Sequence, residues 1–362
     1  MKNNRERVLT ALAHNEPDRV PWDFWATSEV MERLRKHLSL ADDEAVFRHF
    51  DVDLRSVYGP SLAGQQMKTH PGGLVEDLWG VKREVVTVEG RGYRWTYKHL
   101  VESPLASAET VADIEKYAGW PDPTRWDYSR IAESCRKHEG FAVVNMGDRL
   151  DRTAQLKPAM YLRGVEQILV DLAMNPEIAD AIFEHIYQYF MTYNRRVFEA
   201  AEGRIDIFMM GDDFGSQHGP IVSREMWRRF FKRRFRDYIE LAHAFNIKVM
   251  HHTCGSVREL LPEFIDCGLD ILQSVQPQAE GMDLAKLKKE FGKDIAFHGS
   301  IDIQGALPQG SPEDVRREVK TRMEAGKKDG GFIISTAHNI LPDTPTENIL
   351  ALFDAYREYG AY

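Results

Sequence analysis

The chain has 362 residues, is 43% hydrophobic and carries a formal net charge of −9, with a sequence pI near 5.8. A chain of this size buries a large core, either as two ordinary domains or as one barrel with an extension, and its acidic balance argues against nucleic acid or an anionic lipid surface as a partner. Three cysteines without paired spacing, Cys135, Cys254 and Cys267, argue against a disulfide framework, and no apolar run is long enough for a signal peptide or a membrane span, so a soluble, cytoplasmic protein is expected.

In chain order, the first apolar strand is expected at Val20 to Trp25. Residues 51–125 break the rhythm that follows. There Val81 to Val88 and Tyr93 to His99 read as two strands joined by the glycine turn Glu89-Gly90-Arg91-Gly92, an inserted antiparallel hairpin. After Phe141, short apolar strands alternate with longer amphipathic runs. The strands are expected at Phe141 to Met146, Ile205 to Met210, Ile247 to Met250, Asp270 to Val275, Ile295 to His298 and Gly331 to Ser335. Between them, Pro158 to Asn175, Glu177 to Ala201, Ser223 to Phe245 and Val257 to Cys267 have helical periodicity. Ser311-Pro312-Glu313-Asp314 and Thr344-Pro345-Thr346-Glu347 each offer a hydroxyl N-cap, a proline at the first helical position and a carboxylate at the third.

Alternation of this kind predicts parallel strands with crossover helices. Six such units plus Val20 to Trp25 approach the count of a (β/α)₈ TIM barrel, an α/β fold, here with an N-terminal extension and the inserted β-hairpin. With no internal repeat and no low-complexity linker, a single domain over residues 1–362 is expected, with residues 51–125 as an elaboration near the barrel mouth.

Enzymes of this fold place their chemistry at the carboxyl ends of the strands. Here those ends read Gly147-Asp148-Arg149, Gly211-Asp212-Asp213, His251-His252-Thr253-Cys254, Gln273 with Gln276, His298-Gly299-Ser300 with Asp302, and Thr336-Ala337-His338-Asn339. Residues i and i+2 of an extended chain point the same way, so His252 and Cys254 are placed to reach one soft cation, with Zn²⁺ the first choice for mixed nitrogen and sulfur donors; a packed histidine beside a buried cysteine is the alternative. Asp212 and Asp213 are candidate catalytic residues or oxygen ligands, or acceptors for neighbouring backbone amides. His298 is a third catalytic candidate. Trp22, Phe24, Trp25, Tyr58 and Phe214, with Asn339, are candidates to line a flat apolar substrate pocket, against ordinary packing for each aromatic taken singly.

Several runs carry a resemblance. G-D-D-F-G-S-Q (Gly211 to Gln217), H-T-C-G-S-V (His252 to Val257), H-G-S-I-D (His298 to Asp302), T-A-H-N-I-L-P-D-T-P-T-E-N (Thr336 to Asn348) and the opening R-V-L-T-A-L-A-H-N-E-P-D-R-V-P (Arg7 to Pro21) resemble the uroporphyrinogen decarboxylase superfamily over nearly the whole chain. The resemblance implies a (β/α)₈ barrel and two branches, the true decarboxylases and the corrinoid-linked methyltransferases that bind zinc. The decarboxylases carry an arginine-rich motif after the first strand to hold the acidic side chains of the porphyrinogen; Pro21-Trp22-Asp23-Phe24-Trp25-Ala26-Thr27 has no arginine. His252 and Cys254 match the H-x-C zinc motif of the methyltransferases.

The expectation is therefore a zinc-dependent methyltransferase that moves a methyl group between a small methylated substrate, favoured as a methoxylated aromatic in O-demethylation, and the cobalt of a corrinoid (cobalamin) held by a partner protein. A decarboxylase-like lyase and a non-catalytic corrinoid- or tetrapyrrole-binding barrel are the alternatives. In methylcobalamin:coenzyme M methyltransferases the third zinc ligand is a cysteine of the last strand-end loop; here that loop supplies His338, either the third ligand of a His₂Cys site or a substrate contact. The run Arg228-Arg229-Phe230-Phe231-Lys232-Arg233-Arg234-Phe235-Arg236, with six cations, is either a dock for an acidic corrinoid carrier or a solvated helix face.

Overall fold

A computed structural model describes residues 3–62, 67–90, 93–147 and 152–362. Seven parallel strands follow one another around a sheet in chain order: Leu54–Val57, Ala142–Asn145, Ile207–Gly211, Lys248–His252, Ile271–Val275, Ala296–Ile301 and Phe332–Thr336. Residues 20–26 join the two edges. Trp22 bridges Ile334 and Ala26 bridges Ile340, both in parallel, while the carbonyl of Trp22 accepts the N–H of Asp53 at 3.0 Å, just before the first sheet strand. With this eighth stave the sheet closes, as expected of a (β/α)₈ barrel.

Alternation along each strand sorts the side chains. Leu54, Ala142, Val144, Ile207, Met209, Met250, Ile271, Ala296 and Ile333 fill the barrel interior. The helix Asn4–Leu12 closes its lower end with Val8 and Leu12, its backbone bonded to Gly140 and Gly331 at the starts of two strands. Outward-facing residues, among them Phe208, Val249, Leu272, Phe297 and Phe332, pack with Trp22 and Phe24 into the outer core.

Several sequence expectations are corrected. Leu54–Val57 is a barrel strand within the stretch read as an elaboration. The expected helix over Pro158 to Asn175 is two helices, Leu156–Arg163 and Val165–Met174, broken at Gly164 with φ +96°, and that over Ser223 to Phe245 breaks at Phe231 into Arg224–Phe230 and Lys232–Ala244. Ser311 caps Pro312–Gly326 through a capping box with Asp314, but the last helix, Thr346–Tyr359, takes Pro345 rather than Thr344 as its N-cap and lacks the side-chain cap. Lys82–Gly90 and Tyr93–Glu102 pair antiparallel, joined by Lys68–Thr69 and Val75–Glu76 in a four-stranded sheet; Arg91 and Gly92 of the expected turn, like Asp148 and Arg149 of the expected strand end, lie outside the described residues. No helix among the described residues is long and apolar enough to cross a membrane.

Candidate metal centre at the barrel mouth

Lys248–His252 ends with His251 and His252 on opposite faces. His251 is enclosed on the outer side by Phe214, Phe235 and Phe264, and His252 turns inward, its ring centroid 5.6 Å from that of His338. The chain then turns at Gly255, where φ is +81° and a Cβ would meet the carbonyl carbon of Gly215 at 2.5 Å, so only glycine fits. The Gly255 N–H donates to Gln276 Oε1 at 2.9 Å and the Cys254 N–H to Asp213 Oδ1 at 3.2 Å. These bonds hold the Cys254 thiol 3.5 Å from His252 Nε2. One donor atom each from His252, Cys254 and His338 lies within 4.8 Å of the others.

A tetrahedral site with bonds of about 2.0–2.3 Å separates its ligand atoms by roughly 3.3–3.8 Å, so this set needs only small side-chain rotations to close on one ion. Its nitrogen and sulfur chemistry fits zinc, and three protein donors leave one position open. His252 Nδ1 is hydrogen-bonded to Gln273 Oε1. An amide oxygen only accepts, so the proton sits on Nδ1 and the Nε2 lone pair faces Cys254. Burial lowers His252 to about 3, against the pull of Asp213, and also lowers His338. Burial, reinforced by Asp213, raises the Cys254 thiol to about 12. At neutral pH the two imidazoles thus offer lone pairs, and the thiol gives up its proton only to a cation that takes the sulfur.

The two aspartates divide. Asp212 is buried, and its carboxylate accepts the backbone N–H groups of Gln155 at 2.6 Å, Leu156 at 3.1 Å and Lys157 at 2.6 Å, seating the start of Leu156–Arg163. Burial pushes it up to about 7 while those three donors oppose. It is a backbone acceptor and does not line the cavity. Asp213 faces the cavity, paired with Lys157 and 3.7 Å from His252 Nε2. Burial pushes its carboxyl up, but Lys157 and then His252 outweigh that and hold it well below the usual carboxylate range.

A cavity of about 410 Å³ opens beside His252 and His338, lined by these two with Trp25, Tyr58, Arg152, Lys157, Tyr161, Asp213 and Asn339 among others; Cys254 lines a separate pocket, which His338 also borders, with Gly255 and Gln276. Of the expected pocket residues, Trp25, Tyr58 and Asn339 are there. Trp22, Phe24 and Phe214 are not. Trp22 and Phe24 alternate with Asp23 and Trp25, so they face the helices: Trp22 packs on Tyr356 and donates Nε1–H to Phe50 O, and Phe24 packs on Phe47, Phe50 and Phe353. Phe214 packs on Trp227, Phe231 and Phe264. His298 is fully buried inside the barrel, with Nε2 3.0 Å from Asp23 Oδ2, and does not reach the cavity. Asp302 accepts the N–H groups of Gln304, Gly305 and Ala306 and is a turn residue. The sequence reading passed over Lys157 and Tyr161, whose spacing of four on one helix was the available signal.

Five of the six cations of the run are ion-paired within the molecule, and the sixth, Arg229, lies over the Phe230 ring. Arg228 and Lys232, with Arg224, converge on the buried Glu263, Arg233 and Arg234 pair with Glu184, and Arg236 pairs with Asp266. It is a paired helix face.

Residues 153–359 match the family described as uroporphyrinogen decarboxylase (URO-D). Methylated-thiol–coenzyme M methyltransferase of Methanosarcina mazei is 25% identical over 206 residues, 57% of this chain and 52% of that protein. Methylcobamide:CoM methyltransferase MtaA of Methanosarcina barkeri is 29% identical over 160 residues, 44% of each. The chain thus spans about half the length of these curated relatives. A solved methyltransferase structure from Methanosarcina mazei covers 99% of both chains with a TM-score of 0.69 at 19% identity, the same fold. The match over residues 153–359, more than half of the chain, establishes that it belongs to the uroporphyrinogen decarboxylase (URO-D) family.

Proposed function

We propose that the chain is a zinc-dependent methyltransferase that moves a methyl group between a small methylated substrate and the cobalt of a corrinoid held by a partner protein. The observation that carries this reading is the convergence of a ring nitrogen of His252, Cys254 Sγ and a ring nitrogen of His338 within 4.8 Å of one another, with His252 and His338 lining the mouth cavity. Relatives named for methyl transfer between methylcobamide or methylated thiols and coenzyme M support the reaction class. When bound, zinc supplies Lewis acidity to the heteroatom that carries or receives the methyl group.

The side chains supply the rest. His252, Cys254 and His338 would hold the ion. A set with one thiolate and two neutral imidazoles is harder than one with two thiolates, which favours an oxygen-bearing substrate over a thiol. Lys157 and Asp213 line the cavity beside His252. Asp213 outweighs the effect of burial and holds the Lys157 ammonium above its usual range, so a cationic donor is present where negative charge develops on a departing oxygen. Trp25, Tyr58 and Tyr161 give the cavity aromatic walls suited to a methoxylated ring. The residue 20–26 stave brings no cation to the cavity, since Asp23 and Trp25 are its inward residues; Arg152 and Lys157 come from elsewhere, and Lys157 is already paired with Asp213.

The test is to incubate zinc-loaded protein with free cob(I)alamin and, in turn, a methoxylated aromatic, methanol and a methylated thiol, following methylcobalamin by absorbance. Formation with the methoxylated aromatic, abolished in Cys254→Ala, is expected. Absence of transfer from every donor by a metal-loaded protein overturns the reading.

A further inference from the structure

Register places three polar residues side by side inside the barrel. His252 pairs with Gln273 and Gln273 with His298 on three neighbouring strands, and parallel partners point to the same face. All three are buried, Gln273 and His298 completely. The stave of residues 20–26 adds Asp23, whose Oδ2 lies 3.0 Å from His298 Nε2 and whose Oδ1 accepts the Phe24 N–H at 2.8 Å.

Donor and acceptor roles follow from the partners. Gln273 Oε1 accepts, so His252 donates through Nδ1; the Asp23 carboxylate accepts, so His298 donates through Nε2. Two buried atoms in this row are then left over, Gln273 Nε2 and His298 Nδ1. One is a donor and the other an acceptor, on adjacent residues. Buried polar atoms of this kind are paired directly or through ordered water.

We infer that Gln273 Nε2–H donates to His298 Nδ1 through one water molecule, so that His252, Gln273, His298 and Asp23 form a single hydrogen-bonded chain ending in a carboxylate. Every donor in the chain points away from His252 toward Asp23. The chain fixes the proton of His252 on Nδ1, presents Nε2 to the site and strengthens it as a ligand, in the way that carboxylates behind metal-bound histidines do. Asp23, His298 and Gln273 are positioning residues, since none of them reaches the donor set except through His252.

The ligand part rests on the proposed metal site; the protonation pattern does not, and two measurements separate them. In metal-free wild-type protein, ¹⁵N–¹H multiple-bond correlation NMR is expected to show His252 protonated at Nδ1 and His298 at Nε2. Zn²⁺ affinity, read by competition with a chromophoric chelator, is expected to fall about 10- to 100-fold in Asp23→Asn and in Gln273→Leu, and to be held in Gln273→Glu, which still accepts from His252 and brings an anion closer. His252 protonated at Nε2, or Asp23→Asn with wild-type affinity and fold, overturns the chain. Wild-type protein that binds no Zn²⁺ overturns the proposed function, while the two tautomers still decide the chain.

Discussion

Asp213 Oδ1 lies 3.7 Å from His252 Nε2, while the same carboxylate is paired with Lys157 on its other oxygen. Its neighbour Asp212 turns away and accepts three backbone N–H groups. Opposite phenotypes are expected. Asp212→Ala leaves those groups without an acceptor and is expected to cost roughly 2–4 kcal/mol in urea denaturation. Asp213→Asn is expected to stay within about 1 kcal/mol of wild type and to weaken Zn²⁺ binding about tenfold. Equal stability losses with unchanged metal affinity would contradict this division.

Trp25 has its ring centroid 6.2 Å from His252 and 6.0 Å from His298, whereas Phe24 is locked among Phe47, Phe50 and Phe353. Phe24→Ala is expected to cost about 3–5 kcal/mol, as for large core aromatics. Trp25→Ala is expected to cost less and to change ligand affinity at the cavity. Denaturation curves and a binding titration on the two variants check the contrast.

Glu263 supplies a pH dependence away from the site. Hydrogen bonds from Arg228, then from Lys232 and Arg224, hold its carboxyl down to about 2 from an ordinary 4.5, against burial. An acid with a depressed folded value contributes stability that is present above its unfolded value and lost as pH falls through the folded one. Glu263→Gln is thus expected to be less stable than wild type by about 2 kcal/mol at pH 7, with the gap steady down to about pH 5 and closing between about pH 4.5 and 2. A gap that widens on acidification would contradict the assignment.

The alternation of apolar strands with amphipathic runs announced parallel strands and crossover helices, and the spacing of His252 and Cys254 marked two of the three residues whose donor atoms converge. Side-chain direction was less legible where a strand is buried on both faces. In Trp22-Asp23-Phe24-Trp25 composition alone leaves each aromatic open to a pocket role or to ordinary packing, and the period of two decides it, sending Trp22 and Phe24 to the helices and Asp23 and Trp25 inward. The strand Leu54–Val57 was missed because it is four residues long and Arg55 interrupts its apolar run. Arg55 is there because Glu44, on a neighbouring helix, accepts from it at 2.8 Å. The cationic helix face drew attention because its partners Glu184, Glu263 and Asp266 come from distant parts of the chain. The acceptor role of Asp212 was foreseen as an alternative, but its partners at residues 155–157 are set only by the fold.

On the proposed reading, His252, Cys254 and His338 hold one zinc ion. Elemental analysis of purified wild type, Cys254→Ala, His338→Ala and the Cys135→Ala/Cys267→Ala double variant tests it most directly. About one zinc per chain is expected in wild type and in the double variant, with loss in both ligand variants. Folded wild-type protein without metal after zinc loading, or zinc retained in Cys254→Ala, would contradict the account.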